Sequence, residues 1–326
     1  CCIAPDGRDR IACLPDIACL SRKQGISRLR ARQEGFLGTF YERETPSEKA
    51  VILVGGSGEG RGMVEKRAQT LSQAGFHVLA LGYYLWKPLS PHTVRIPVDY
   101  AERAVKFLQP YARKIGMTGL SLGAAYTLLC ASLIPEISCV VAVSGFDFVV
   151  EGCKYALFRQ HQSYYSWHGQ DVPYEPADAL SHLFRTLRTW KRDPRYGAKA
   201  MNRFYYGECF PNRTDKSRIK VENIRGDVLL IGPKYDDTWP SDEANIRMAQ
   251  RLTEVNHPYR HAFVMYEKGS HCLGMPPETL CADGKSPEAT QRLLAKFMTM
   301  EAKYPEECDR ARADSWAKLV DFFQTW

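Results

Sequence analysis

Short unbroken apolar runs alternate along most of the chain with longer stretches whose apolar positions recur at helical spacing. Ala50-Val51-Ile52-Leu53-Val54 is continuous and ends in glycine, the pattern of a strand buried on both faces of a sheet. Val78–Leu81, Ile115–Thr118, Cys139–Val143, Asp227–Ile231 and His261–Met265 read as further strands, and Gly35–Tyr41 reads as one strand of a leading hairpin. Between them Glu65–Ala74, Val98–Tyr111, the residues after Ser121 and Ser241–Val255 predict helices. Two terminal helices are expected to close the chain, the last through Trp316–Phe323. Strand–helix repetition of this kind predicts an α/β fold, a mostly parallel sheet with helices on both faces.

The alternation breaks between about residues 150 and 222, too long a span for an ordinary connection. An insertion after the strand ending at Val143 is predicted to overhang the carboxyl edge of the sheet as a cap. The expected organisation is a leader of unassigned role over residues 1–34 and one domain over 35–326 that carries this cap.

Composition changes this picture little. The 326 residues are 44% hydrophobic and 25% charged, as in an ordinary globular domain. No apolar run approaches the roughly 18 residues that a membrane helix needs. The opening Cys1–Asp6 leads straight into a charged segment, which is not the pattern of a signal peptide. The 11 cysteines are scattered and odd in number, and Cys130 and Cys139 fall in elements predicted to be buried. Free thiols and a reducing, cytoplasmic setting are expected. Cys1, Cys2, Cys13 and Cys19 lack paired metal-ligand spacing and a nearby histidine, so no metal is expected.

The net charge of +7 is less informative than its location. From Arg185 to Lys220 eleven Lys and Arg face three acids. Two readings stand: a site for a phosphate-bearing ligand, with Arg188, Lys191 and Arg192 as contacts, and a solvated helical surface. Nucleic acid is excluded as a partner because no reader motif accompanies the charge.

Gly119-Leu120-Ser121-Leu122-Gly123 carries the chemistry. A Gly-x-Ser-x-Gly pentapeptide between a strand and a helix forms a turn so tight that its flanks must be glycine, with the serine exposed at the carboxyl edge. A serine alcohol needs a histidine base and a carboxylate to orient it, in chain order Ser, acid, His. Asp236 and Asp237 follow the strand ending at Ile231, and His271 follows the last strand on a turn of small residues. Asp147, after Val143, is a third candidate acid. An oxyanion hole needs two backbone N–H groups. Leu122 is expected to give one and Ser57, in the loop Gly55–Gly60, the other, with Gly56 and Gly58 as alternatives to Ser57. That loop lacks the lysine and hydroxyl of a nucleotide-binding loop.

These pieces together resemble the C-terminal α/β-hydrolase domain of the acyl-CoA thioesterases and bile acid-CoA:amino acid N-acyltransferase, within the dienelactone hydrolase-like group. The resemblance runs from about residue 35 to 326. It rests on Gly55–Gly60 with Glu65-Lys66-Arg67-Ala68, Leu81-Gly82-Tyr83-Tyr84, the elbow Thr118–Ala124, Trp167–Pro173, Asp236–Ser241, His271 and Ala313–Trp316. It implies an α/β-hydrolase fold and a Ser121–His271–Asp236 triad, the acid being the aspartate three residues before Trp239. It implies no cofactor. Animal members carry an N-terminal β-sandwich for which residues 1–34 are too short, so the layout is similar to the short, single-domain bacterial type. Ser270 stands where a glycine is usual before the histidine, and Leu273–Glu307 matches the animal sequences poorly.

The implied activity is hydrolysis of an acyl thioester or ester, an acyl-CoA being the first candidate substrate. Serine at the elbow favours water over an amine as acyl acceptor. The alternatives are a carboxylesterase or dienelactone-type lactone hydrolase, an acyl-CoA:amine N-acyltransferase, and a non-catalytic binding module of the same fold.

Overall fold

The fold is carried by the residues that the computed structural model describes: 26–29, 31–154, 158–177, 187–188, 200, 203–204, 206–207, 213–276, 279 and 286–326. Eight strands form the central sheet: β1 Ile26–Leu29, β2 Leu37–Tyr41, β3 Lys49–Val54, β4 His77–Gly82, β5 Lys114–Leu120, β6 Ile137–Val143, β7 Asp227–Pro233 and β8 His261–Tyr266. Their spatial order is β1-β2-β4-β3-β5-β6-β7-β8. Only the β1–β2 and β2–β4 pairings are antiparallel; from β4 to β8 every neighbour runs parallel. All the loops that follow β3, β5, β6, β7 and β8 therefore meet at one edge, where ligands bind open sheets of this kind.

The apolar runs serve two cores at once. In β3, Ala50, Ile52 and Val54 pack with helices α2 (Asp99–Leu108), α3 (Leu122–Leu133) and α4 (Ser241–Glu254), while Val51 and Leu53 face α1 (Arg61–Gln73) and a C-terminal helix. Because side chains alternate along a strand, a run apolar at every position fits only a sheet covered on both faces. Ile52 sits opposite Leu79 on one side and Met117 on the other, fully buried, each such side chain contributing about 1.5–3 kcal/mol. Among the described residues the C-terminal region holds three α-helices where two were expected: α5 Pro287–Phe297, α6 Thr299–Lys303 and α7 Pro305–Thr325. Met298, in an extended conformation, separates α5 from α6.

The sheet also begins earlier than expected, since β1 lies within the stretch read as a leader. Its four residues, Ile-Ser-Arg-Leu, are too few to show a period. Helix α1 starts at Arg61, ahead of the expected Glu65, because Gly60 takes the extended N-cap conformation.

The insertion after β6 contains strands of its own. Glu151–Lys154 pairs antiparallel with Phe158–Ser163, and Tyr165–Trp167 joins Gln170–Asp171 and the short strand Ile96–Pro97. Backbone bonds tie it down: Val149 N–H donates to Ser217 O at 2.7 Å and Ile219 N–H to Asp147 O at 2.9 Å. Among the described residues no helix is long and apolar enough to cross a membrane.

Candidate active site

Ser121 ends β5 and opens α3 with φ 58° and ψ −121°, a backbone that a non-glycine residue adopts only under constraint. The constraint is close packing on both sides. A Cβ on Gly119 would come within 2.4 Å of the Gly123 backbone, and one on Gly123 within 2.4 Å of Gly55 O. Both positions need glycine for space, and together they press the elbow against the loop that follows β3. Gly56 reaches Ser121 itself: a Cβ there would lie 3.4 Å from Ser121 Cβ.

That loop is held from beneath. Glu59, 7% exposed, accepts the Gly56 N–H at 2.5 Å and a bond from Arg67 Nη2 at 2.6 Å. Gly56 N–H is thus committed to the protein. Ser57 N–H and Leu122 N–H have no hydrogen-bond acceptor among the described residues. Ser57 is exposed at the tip of the turn, while Leu122 is buried at the first position of α3, whose dipole favours negative charge. Tyr83 Oη donates to Gly55 O at 2.8 Å, and Tyr165 of the insertion places its hydroxyl 3.5 Å from Leu122 O.

The structure brings His271 and Asp236 together. Nδ1 of His271 lies 2.8 Å from Asp236 Oδ2 and 3.0 Å from Oδ1, with both residues buried. Asp236 also accepts Thr238 N–H at 2.8 Å and Ser241 Oγ–H at 2.5 Å. Burial drives its carboxyl upward, but the imidazole of His271 and these hydrogen bonds outweigh it, and the group rests below the usual carboxylate range. A carboxylate that stays ionised while fully buried is suited to hold an imidazole in one tautomer and to stabilise its charged form.

Hydrogen bonds link this pair to the serine. Ser121 N–H donates to Val143 O at 2.8 Å. The next residue, Ser144, donates Oγ–H to His271 O at 2.9 Å and accepts Trp239 Nε1–H on its carbonyl at 2.8 Å. Ser144 is fully buried with φ 50°. Sequence reasoning missed it, along with Ser241, Glu59 and Arg67; a serine after a strand or at a helix start carries no signal that separates it from an ordinary cap.

The other candidate acids have different partners. Asp237 turns away and accepts Thr299 N–H at 2.6 Å, and burial raises its carboxyl. Asp147 forms a two-bond pair with Arg247 at 2.6 and 2.9 Å. Cys272, beside the histidine, is pushed up to about 12 by burial, far from a reactive thiolate.

The basic stretch is partly spent inside the protein. Arg203 is buried on Asp242, Glu243 and the carbonyl of Asp236. Arg218 pairs with Glu222 and Asp215, and Lys220 with Asp215. Arg188 is exposed, while Lys191 and Arg192 lie outside the described residues, as do Cys1, Cys2, Cys13 and Cys19. Among the described residues no cluster of His, Cys, Asp and Glu could hold a metal ion.

The family described as BAAT / Acyl-CoA thioester hydrolase C terminal matches residues 96–326. The chain belongs to this BAAT C-terminal family. Its relatives include the peroxisomal succinyl-coenzyme A thioesterase of Mus musculus, 24% identical over 276 residues, covering 82% of this chain and 58% of the relative. Bile acid-CoA:amino acid N-acyltransferase of Mus musculus is 24% identical over 280 residues, covering 81% and 58%. The chain thus spans little more than half the length of these relatives. A Klebsiella pneumoniae structure described provisionally as a dienelactone hydrolase aligns with TM-score 0.50 and 13% identity, over 89% of this chain and 93% of that one. The BAAT C-terminal domain here has the α/β-hydrolase fold, and Ser121, Asp236 and His271 all fall within the matched residues.

Proposed function

We propose that the chain is a serine hydrolase of acyl thioesters, with acyl-CoA as the substrate class. The observation that carries this reading is the buried Asp236–His271 pair, with the His271 carbonyl anchored on Ser144, next in the chain to Val143, whose carbonyl holds the backbone N–H of a serine on a glycine-flanked elbow. In the reaction Ser121 Oγ attacks the acyl carbonyl while His271 Nε2 takes its proton. Asp236 holds the other ring nitrogen and stabilises the imidazolium. The carbonyl oxygen, now negative, is received by the N–H groups of Leu122 and Ser57. Collapse expels the thiolate with the proton from His271. Water, activated by the same histidine, then releases the acid and restores the serine.

Each role uses a group with no competing task. Among the described residues the N–H groups of Leu122 and Ser57 have no acceptor, and Asp236 remains ionised, whereas Asp237 and Asp147 are engaged elsewhere. The CoA leaving group is taken from the relatives, among them a succinyl-CoA thioesterase, and from the exposed Arg188 beside Lys191 and Arg192. The insertion serves as the cap: Arg203 and Tyr206 reach the acid loop, Tyr206 packing 5.5 Å from Trp239. Among the described residues the thiols of Cys130, Cys139, Cys272 and Cys308 are not in disulfides, which suits a reducing compartment such as the cytoplasm.

The test is labelling by a fluorophosphonate probe together with hydrolysis of a panel of short, medium and long acyl-CoAs beside simple esters. Labelling that persists in Ser121→Ala would falsify the assignment of the nucleophile. Faster turnover of oxygen esters than of any acyl-CoA would favour the carboxylesterase or lactone hydrolase reading. An amide product formed in the presence of glycine or taurine would move the chain to the N-acyltransferases.

A further inference from the structure

The residues next to the acid and the base, Asp237 and Ser270, are bound to one short helix. Asp237 Oδ2 accepts the N–H of Thr299, the first residue of α6, at 2.6 Å. Ser270 Oγ–H donates to the carboxylate of Glu301, in the same helix. Glu301 is 1% exposed and is paired with Arg312 of α7, also 1% exposed, at 3.0 Å. Arg312 Nη1 donates in turn to Cys272 O at 3.0 Å, and Cys272 N–H lies 3.3 Å from Ser270 Oγ. His271 is therefore flanked on both sides by residues fixed to one buried ion pair, and Asp236 is followed by a residue fixed to the same helix.

From this the geometry points to α6 as a clamp that sets the distance between Asp236 and His271, with Asp237, Ser270 and Glu301 as positioning residues. The proposal rests on reading Asp236 and His271 as the acid and base. Two loops after different strands have no covalent reason to keep hydrogen-bond register. A rigid element bonded to both supplies it. The bonds are buried, so breaking either leaves a polar group without water, which makes the clamp stiff. The Ser270 hydroxyl gives the turn before His271 a side-chain anchor on Glu301.

Two variants cut the clamp at opposite ends. Thr299→Pro removes the N–H that Asp237 accepts, together with the threonine hydroxyl beside it. Proline is tolerated at the first position of a helix, and the preceding Met298, at φ −124° and ψ 123°, already has the conformation that proline requires. Ser270→Gly removes the hydroxyl that Glu301 accepts, together with its Cβ. Each is expected to lower kcat per titrated active site roughly 10- to 100-fold with KM changed less than about 2-fold, the range for a small misplacement of catalytic groups. Each should also weaken or shift the far-downfield proton resonance of the His271 Nδ1–H···Asp236 bond. Folding is checked by circular dichroism and thermal melting, and Glu301→Gln, which keeps an acceptor for Ser270, is expected to fall between wild type and Ser270→Gly. Folded variants with wild-type kcat per site and an unmoved resonance would overturn the clamp, even if their melting temperature had dropped. The resonance needs no turnover, so wild-type protein that failed to label with fluorophosphonate would overturn the hydrolase reading while the clamp was still decided by the spectrum.

Discussion

On the nucleophile side the candidate site is made of backbone: a positive φ at Ser121, two glycines with no room for a Cβ, and N–H groups at Ser57 and Leu122 with no acceptor among the described residues. On the acid–base side it is made of side chains, with Asp236, His271, Ser144, Ser241 and Trp239 bonded across loops that follow three different strands. Backbone geometry is specified by a few neighbouring residues. Side-chain geometry depends on partners far away in the chain. The two halves should therefore fail differently, the first by not folding and the second by folding without turning over.

The largest effect expected on the acid–base side is that of Asp236→Asn. The amide can still bond the imidazole but fixes the wrong tautomer, so kcat should fall about 10⁴-fold while the fold persists. Measured by acyl-CoA hydrolysis with circular dichroism as control, a loss below about 10-fold would mean that another carboxylate serves the histidine. Gly123→Ala is the matching break on the nucleophile side. A methyl there would lie 2.4 Å from Gly55 O and 3.0 Å from Gly55 C, backbone atoms that cannot turn aside as a flexible side chain would. The expected result is insoluble protein or a stability loss above about 4 kcal/mol by denaturant unfolding.

This contrast also explains which parts were readable from the sequence. The sheet strands from β3 onward were legible because each is an apolar run bounded by turn residues, and the elbow because its geometry demands a local pentapeptide. Asp236 and His271 could be located by strand order, yet the residues alone left Asp237 and Asp147 open. What separates them is the direction of a side chain: Asp237 points to Thr299, sixty-two residues ahead, and Asp147 to Arg247, one hundred ahead. Glu301 and Arg312 give no signal in the sequence, since their pairing is visible only once α6 and α7 are packed. The short β1 was lost because four residues show no period.

An intermediate effect tests whether the nucleophile half is backbone alone. Glu59 is the buried carboxylate that holds the loop beside Ser121, through Gly56 N–H and Arg67, while Tyr83 holds Gly55 O. Glu59→Ala leaves a buried arginine unpaired, at a cost of about 3–5 kcal/mol. It should also let Gly56 N–H swing free, lowering kcat by up to about 100-fold through a displaced Ser57 N–H. If kcat holds while stability falls, the loop keeps its shape without the carboxylate, and the oxyanion donors are set by the glycines alone.

The smallest effect probes the acid–base half at its edge. Ser241 Oγ donates to Asp236 Oδ2 at 2.5 Å, and that bond helps keep the carboxyl below its usual range. A group with a depressed folded pKa contributes stability that is complete above its unfolded value, about 3.9, and is lost as pH falls through the folded value. Ser241→Ala removes one of the bonds that lower the folded value, so that value should rise toward the unfolded one. The variant should then be about 1–2 kcal/mol less stable than wild type at neutral pH, the worth of a hydrogen bond to a charged group. The gap should narrow as the pH drops below about 4, where the carboxylate is titrated in the wild type too. Unfolding in denaturant at stepped pH measures it. A gap constant down to the acid transition would assign the loss to packing at the start of α4 instead, and the Asp236–His271 pair would then be held ionised by His271 and Thr238 without help from Ser241.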